Sequence, residues 1–313
     1  MASGITSTSQ VDPEVDVYFD NILLDRHQPY FPFGYFAQER RIPQKNSKTA
    51  IFRRYDNLSD ALTPLSEGVT PASEQVSKFD ITAVVSQYGK VVQLTDDVIV
   101  TVQDETANEV ADMLQQNMAS TYDKIVRNML VASASQIDCL NGVNGNAVTE
   151  LTSTDMELAI DYLEGNNGKK MSPNIEGTNA FGTAPVWAAY WMIIHTDLRS
   201  DVKRLGNFLP TADYPRQQSV LESELGSIDE VRVVKTSEGY KDSSSPAIFY
   251  NPLLAANAYG RISIDDQSME MIIKPLGEGE DALNQRQSMG WKGRLGAVLL
   301  DDAWAVIVRS TKA

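Results

Sequence analysis

Two histidines and one cysteine limit the chemistry that this 313-residue chain can do. A hydrolytic triad needs a nucleophile hydrogen-bonded to a base that a third group orients. His27 sits in Asp25-Arg26-His27-Gln28-Pro29, which reads as a loop, and His195 ends an apolar strand before Thr196-Asp197. Neither stands near a Gly-x-Ser-x-Gly elbow, and the chain contains none. Cys139 follows a helical pattern without a His, Lys or Arg beside it to lower its pKa, so it reads as a buried, inert thiol. A structural zinc site typically takes four Cys or His ligands, and the chain owns three such residues. Gly277-Glu278-Gly279-Glu280 places carboxylates where phosphates would sit and lacks the Lys-Ser/Thr of a phosphate-binding loop. Asp96-Asp97 and Asp301-Asp302 are adjacent pairs, which in a strand point to opposite faces. Asp265-Asp266 is the remaining pair that could contribute to a cation site. The expectation is a chain with no catalytic residue, no metal and no cofactor.

Composition narrows the alternatives. Hydrophobic residues make up 42% and charged residues 22%, normal for a chain that buries a core. The net charge of −15 argues against an affinity for nucleic acid that rests on neutralising phosphates. The N-terminus lacks the basic start and apolar run of a signal peptide, and no apolar stretch is long enough to span a membrane. A single cysteine excludes an intrachain disulfide and fits a reducing cytoplasm. Asn57-Leu58-Ser59 reads as a chance sequon.

The elements that must position these residues follow from periodicity and turn chemistry. Residues 1–16, rich in Ser, Thr and Asp, predict a mobile arm. Residues 17–41 hold seven aromatic rings in a stretch broken by Pro29 and Pro32, which needs a surface to lie on. Thr49–Tyr55 and Ile81–Leu94 read as strands, and the Pro- and Gly-bearing segment between them reads as the tip of a projecting hairpin. From Asp104 to Ser135 there is no Pro or Gly, and Val110, Leu114, Met118, Val126 and Leu130 mark one apolar face. This predicts a helix roughly 45 Å long, capped by Asp104. Thr154–Leu163 reads as a short helix capped by Thr154. Tyr190–His195, Val231–Lys235, Ala247–Tyr250, Ile262–Ile264 and Met269–Lys274 read as strands. Gly296–Leu300 and Trp304–Arg309 flank Asp301-Asp302-Ala303 and read as a hairpin. The class is α+β.

The ordered pieces Phe36-Ala37-Gln38, Ile42-Pro43, Phe52-Arg53-Arg54, Pro64 to Pro71, Gln87-Tyr88-Gly89 and Leu94-Thr95-Asp96 are specific. Later come His195 to Arg199, Glu224 to Ile228 with Val231-Arg232, Asp281 to Gln285, and Gly290-Trp291-Lys292. Over residues 18 to 309 this set resembles the major capsid proteins of tailed bacteriophages related to the short-tailed coliphage N-four. Thr196 departs from the Pro that the family often has there, and residues 142–146 and 205–218 have no clear counterpart. The resemblance implies the tailed-phage capsid fold. It would comprise an N-terminal arm (1–36), an extended loop (37–95), a peripheral domain with a spine helix (96–150), a mainly axial domain (151–258), and return strands (259–313).

The resemblance also implies a non-enzymatic subunit that assembles with itself, as pentamers and hexamers, into an icosahedral shell around double-stranded DNA. Portal and scaffolding proteins would be its other partners, with decoration proteins as candidates, and the virion its location. Arg53 and Arg54 on the loop, and Glu67 at its tip, are the candidate intersubunit contacts. The rival readings are an encapsulin-like nanocompartment shell of the same fold and a soluble enzyme of unknown class.

Overall fold

A computed structural model describes residues 30–45, 47–65, 67–68, 70–97, 106–145, 147–174, 186–215, 220–264, 269–276 and 283–313. The expected arm of residues 1–16, His27, the Asp104 cap, Asp265-Asp266 and Gly277 to Glu280 lie outside them.

The chain runs through β1 (Gln38–Ile42), β2 (Thr49–Tyr55), β3 (Lys78–Val84) and β4 (Ser86–Thr95) into helix α1 (Thr106–Ser133). Then come β5 (Ser135–Asp138), α2 (Ser153–Gly165), β6 (Tyr190–His195), α3 (Arg199–Arg204), β7 (Phe208–Pro210), β8 (Glu224–Ile228) and β9 (Val231–Thr236). The last strands are β10 (Tyr240–Lys241), β11 (Phe249–Leu254), β12 (Tyr259–Ile264), β13 (Met269–Lys274), β14 (Arg286–Leu299) and β15 (Ala305–Ser310). They form three sheets. One has eight strands in the order β5-β15-β11-β6-β9-β8-β7, with β10 beside β11. A second has the order β1-β12-β14-β13, with β4 on the other edge of β14. The third is the β2–β3 hairpin.

Helix α1 links the two large sheets. At 1.5 Å per residue its 28 residues span about 42 Å. Its first half buries Val110 and Leu114 against Met289 and Trp291 of β14. Its second half buries Val126 and Leu130 among Ile193, Leu254, Tyr259 and Ile307. The apolar stripe is read correctly from spacing, with one exception. Asp123 lies on that stripe and is buried.

Four expectations are corrected. Ile81–Leu94 is not one strand. It breaks at Val85, whose N–H donates to the Lys48 carbonyl, so β3 pairs with β2 and β4 with β14. The segments on either side of Asp301-Asp302-Ala303 do not form a hairpin. β14 and β15 lie in different sheets, and Asp301 caps the turn that carries the chain between them. Thr152, not Thr154, caps α2. Its hydroxyl accepts the Asp155 N–H while the Asp155 carboxylate accepts the Thr152 N–H, a reciprocal box that Thr154 cannot make. Finally, the strand expected at Ala247–Tyr250 runs on to Leu254. Pro252 is tolerated because β10 pairs before it and β6 after it, so its missing N–H interrupts neither ladder.

Candidate assembly interface

The β2–β3 hairpin is exposed along its length. Every described residue from Arg53 to Asp80 is exposed, while Phe52 and Ala83 at its base are buried against Ile42 and Ile262. The connection from Asp56 to Ser77 contains four acids, Asp56, Asp60, Glu67 and Glu74, and no Lys or Arg. Its leucines face solvent, with Leu62 86% and Leu65 76% exposed. Glu74 accepts from the Ser59 amide at 3.0 Å, which pins the two limbs together. Glu67 sits beside Gly68, whose φ of 77° lies in the left-handed region that glycine adopts without strain. Apolar side chains held in water on a projection have nothing to gain within their own chain.

Arg53 and Arg54 both have partners in the same chain. Arg53 faces Asp80 across the hairpin and bonds it twice, at 2.7 and 3.1 Å. This bidentate contact holds the Asp80 carboxyl below the usual carboxylate range. Arg54 pairs with Asp301, and its guanidinium carbon lies 5.7 Å from the Phe79 ring centre and 5.6 Å from that of Trp304. The contact ties the outer part of the hairpin to the turn between the two large sheets. Replacing Arg54 with alanine is expected to speed amide exchange severalfold in residues 49–55 and 78–84 while leaving 190–195 unchanged. Unaltered exchange in the hairpin would mean that the packing of Phe52 and Ala83 alone sets its angle.

A second surface is concave. The face of β4, β14 and β13 that looks away from α1 forms a groove of about 470 Å³. Its floor is Gly89 and Gly290, and its walls carry Val91, Ile272, Lys274 and Lys292. Both glycines are required by close approach. A Cβ on Gly89 would meet the Trp291 carbonyl at 2.7 Å, and one on Gly290 would meet the Lys90 carbonyl at 2.9 Å. Val91 is 65% exposed in this groove. Lys292 pairs with Glu270, whereas Lys274 has no ion-pair partner among the described residues. Sequence reading did not find this groove, because its floor and walls come from strands far apart in the chain.

His195 and Cys139, both considered for chemistry, have structural roles. His195 accepts the Asp197 N–H through Nδ1 at 3.1 Å and caps the turn there, and burial lowers its pKa. The Cys139 thiol is fully buried, which pushes its pKa well up. Among the described residues no cluster of three or more His, Cys, Asp or Glu could hold a metal ion. No helix among them is long and apolar enough to cross a membrane.

A two-sheet body threaded by one long helix, with a hairpin that offers its apolar side chains outward, defines a subunit that builds an assembly. Solved structures share this architecture. The capsid of Ralstonia phage GP4 superposes with a TM-score of 0.69 at 12% identity, covering 100% of this chain and 99% of that one. The capsid of cyanophage P-SCSP1u gives 0.66 at 15% identity over 98% and 96%. That of Helicobacter pylori bacteriophage KHP30 gives 0.66 at 11% identity over 99% of each chain. Curated proteins contain no sequence match. A family model described as phage capsid protein matches residues 78–308. The chain belongs to the phage capsid protein family. It is a tailed-phage major capsid protein, a structural subunit of the virion shell without enzymatic activity.

Proposed function

We propose that the chain assembles as pentamers and hexamers of an icosahedral shell around double-stranded DNA, each subunit laying its extended loop on a neighbour. Of the tailed phages, those related to the short-tailed coliphage N-four are the group that the motif set from Phe36 to Lys292 favours. In this reading residues 1–36 are the arm, 37–95 the extended loop, 96–150 and 259–313 the peripheral domain, and 151–258 mainly the axial domain. Hydrogen-bonded strands tie these parts together, since β4 at the end of the loop joins β14 and the final strand β15 joins β11. Portal and scaffolding proteins are the further partners, with decoration proteins as candidates, and the acidic chain meets DNA without sequence-specific binding.

The observation that carries the reading is the loop tip, acidic and apolar at once, together with a groove that is its complement. Leu62 and Leu65 match the Val91 and Ile272 walls, and Asp60 and Glu67 match Lys274. Arg53 and Arg54 hold the hairpin from within, and Glu67 is left as the intersubunit charge. Negative-stain electron microscopy with light scattering on the purified chain tests assembly. Closed shells, or rings of five or six, are expected. A chain that stays monomeric with its scaffolding partner supplied would refute it. Glu67→Lys should leave the fold intact and cut the yield of closed shells. Adding Lys274→Glu should recover part of it, and undiminished shells from Glu67→Lys alone would remove the tip charge from the contact.

A further inference from the structure

Residues 30–36 are held by a buried acid that no cation among the described residues touches. Asp123 shares the stripe of α1 with Val126 and Leu130 and is 2% exposed. Its Oδ1 accepts the Gly34 N–H at 3.0 Å, the Phe33 N–H also donates to the carboxylate, and Oδ2 has no hydrogen-bond partner among the described residues. Two more bonds close on the same segment. The Tyr259 hydroxyl donates to the Phe33 carbonyl at 2.6 Å, and the Thr236 hydroxyl donates to the Tyr30 carbonyl at 2.7 Å. Position 34 admits only glycine without rearrangement, since a Cβ would lie 2.9 Å from the Tyr122 ring.

The charged and titratable groups around Asp123 come from every element packed on it. From α1 they are Tyr122 and Arg127, from the segment itself Tyr30, from the turn after β9 Glu238, and from β12 Tyr259, with Arg261 beyond Tyr122. Arg127 is the cation of this set that acts on Asp123, and its hydrogen bonds go elsewhere. Its guanidinium donates to the Glu238 carbonyl at 2.6 Å and to Asn128. Glu238 opposes it, so an ionised Asp123 is compensated by two backbone amides and little else.

We infer that residues 30–36 are fastened by a proton-controlled clasp, closed while Asp123 is protonated and loosened as its carboxyl ionises. Burial raises this carboxyl from its ordinary 3.8 to about 7, against the pull of the Gly34 and Phe33 amides. Opening the segment returns Asp123 to water and its ordinary acidity. An acid that is weaker in the closed state than in the open one stabilises the closed state fully below the open-state pKa. That preference is lost as pH rises through the closed-state value. Opening therefore increases about tenfold per pH unit from roughly pH 4 to 7 and then levels off.

Hydrogen exchange on the full-length chain tests this. Exchange of the peptide covering 30–37, divided by the intrinsic rate of the unstructured peptide at each pH, is expected to rise about tenfold per unit between pH 5 and 6.5. It should flatten above 7. The same ratio for β6 should stay level, which separates clasp opening from global unfolding. In Asp123→Asn the slope for 30–37 should vanish. A flat ratio in the wild type, or an equal slope in the variant, overturns the inference. So does a carboxyl carbon titration that places Asp123 near 4, a reading that needs no variant.

Discussion

Replacing Arg232 with alanine is expected to destabilise the subunit by about 3–5 kcal/mol. The side chain is 4% exposed and faces Glu224, which is 0% exposed, with both contacts at 2.8 Å. Glu224 also accepts from the Tyr214 hydroxyl at 3.0 Å and from the Leu221 amide at 3.0 Å. The guanidinium lies 4.3 Å from the Trp191 ring centre on the neighbouring strand. Truncating Arg232 leaves a carboxylate in the eight-stranded sheet whose remaining partners among the described residues are neutral, and a lone buried charge costs far more than the pair gives. Since a domain is stable by about 5–15 kcal/mol, the variant should unfold at a much lower urea concentration. The double variant Glu224→Gln, Arg232→Met should recover most of the loss, because Gln keeps an acceptor for Tyr214 and no ion remains. Tryptophan fluorescence during urea unfolding checks both. A single variant as stable as the wild type would mean that water reaches Glu224.

Changing Leu62 and Leu65 together to serine is expected to abolish closed shells while leaving the subunit folded. Both side chains already face solvent, so the fold loses almost nothing. If each is buried on a neighbour it contributes about 1.5–3 kcal/mol, and the contact recurs at every subunit. A small loss per contact therefore sums to a large loss in assembly. Sedimentation velocity and electron microscopy should show free subunits or small rings at concentrations where the wild type closes. Full shells at wild-type yield would exclude these leucines from the interface. The Arg232 variant acts on folding and this one on association, so circular dichroism separates the two effects.

Elements governed by local pattern were legible in the sequence. The three- and four-residue recurrence of Val110, Leu114, Val126 and Leu130 marks α1 because a helix repeats its faces within its own length. Thr49–Tyr55 and Tyr190–His195 carry the β-branched and aromatic residues of strands, and their bounds agree with the structure. Pro64, Gly68 and Pro71 mark the loop tip. The scarcity of His and Cys is equally plain in the sequence.

The tertiary structure alone decided how these pieces pair. β14 and β15 read as a hairpin because they are neighbours in sequence. Yet β14 is taken by β4, β12 and β13, and β15 by β11 and β5. Arg53 and Arg54 look alike on paper, and their different partners, Asp80 and Asp301, depend on which strand lies opposite and which turn folds back. Asp123 breaks an apolar stripe, a signal visible in the sequence, but its meaning needs Gly34, 89 residues away, to donate into it. The groove over Gly89 and Gly290 exists because two strands nearly 200 residues apart in sequence lie side by side. Local propensity is set by a residue and its near neighbours. Partnership is set by contacts between distant segments, whose energies appear only once the chain has closed on itself.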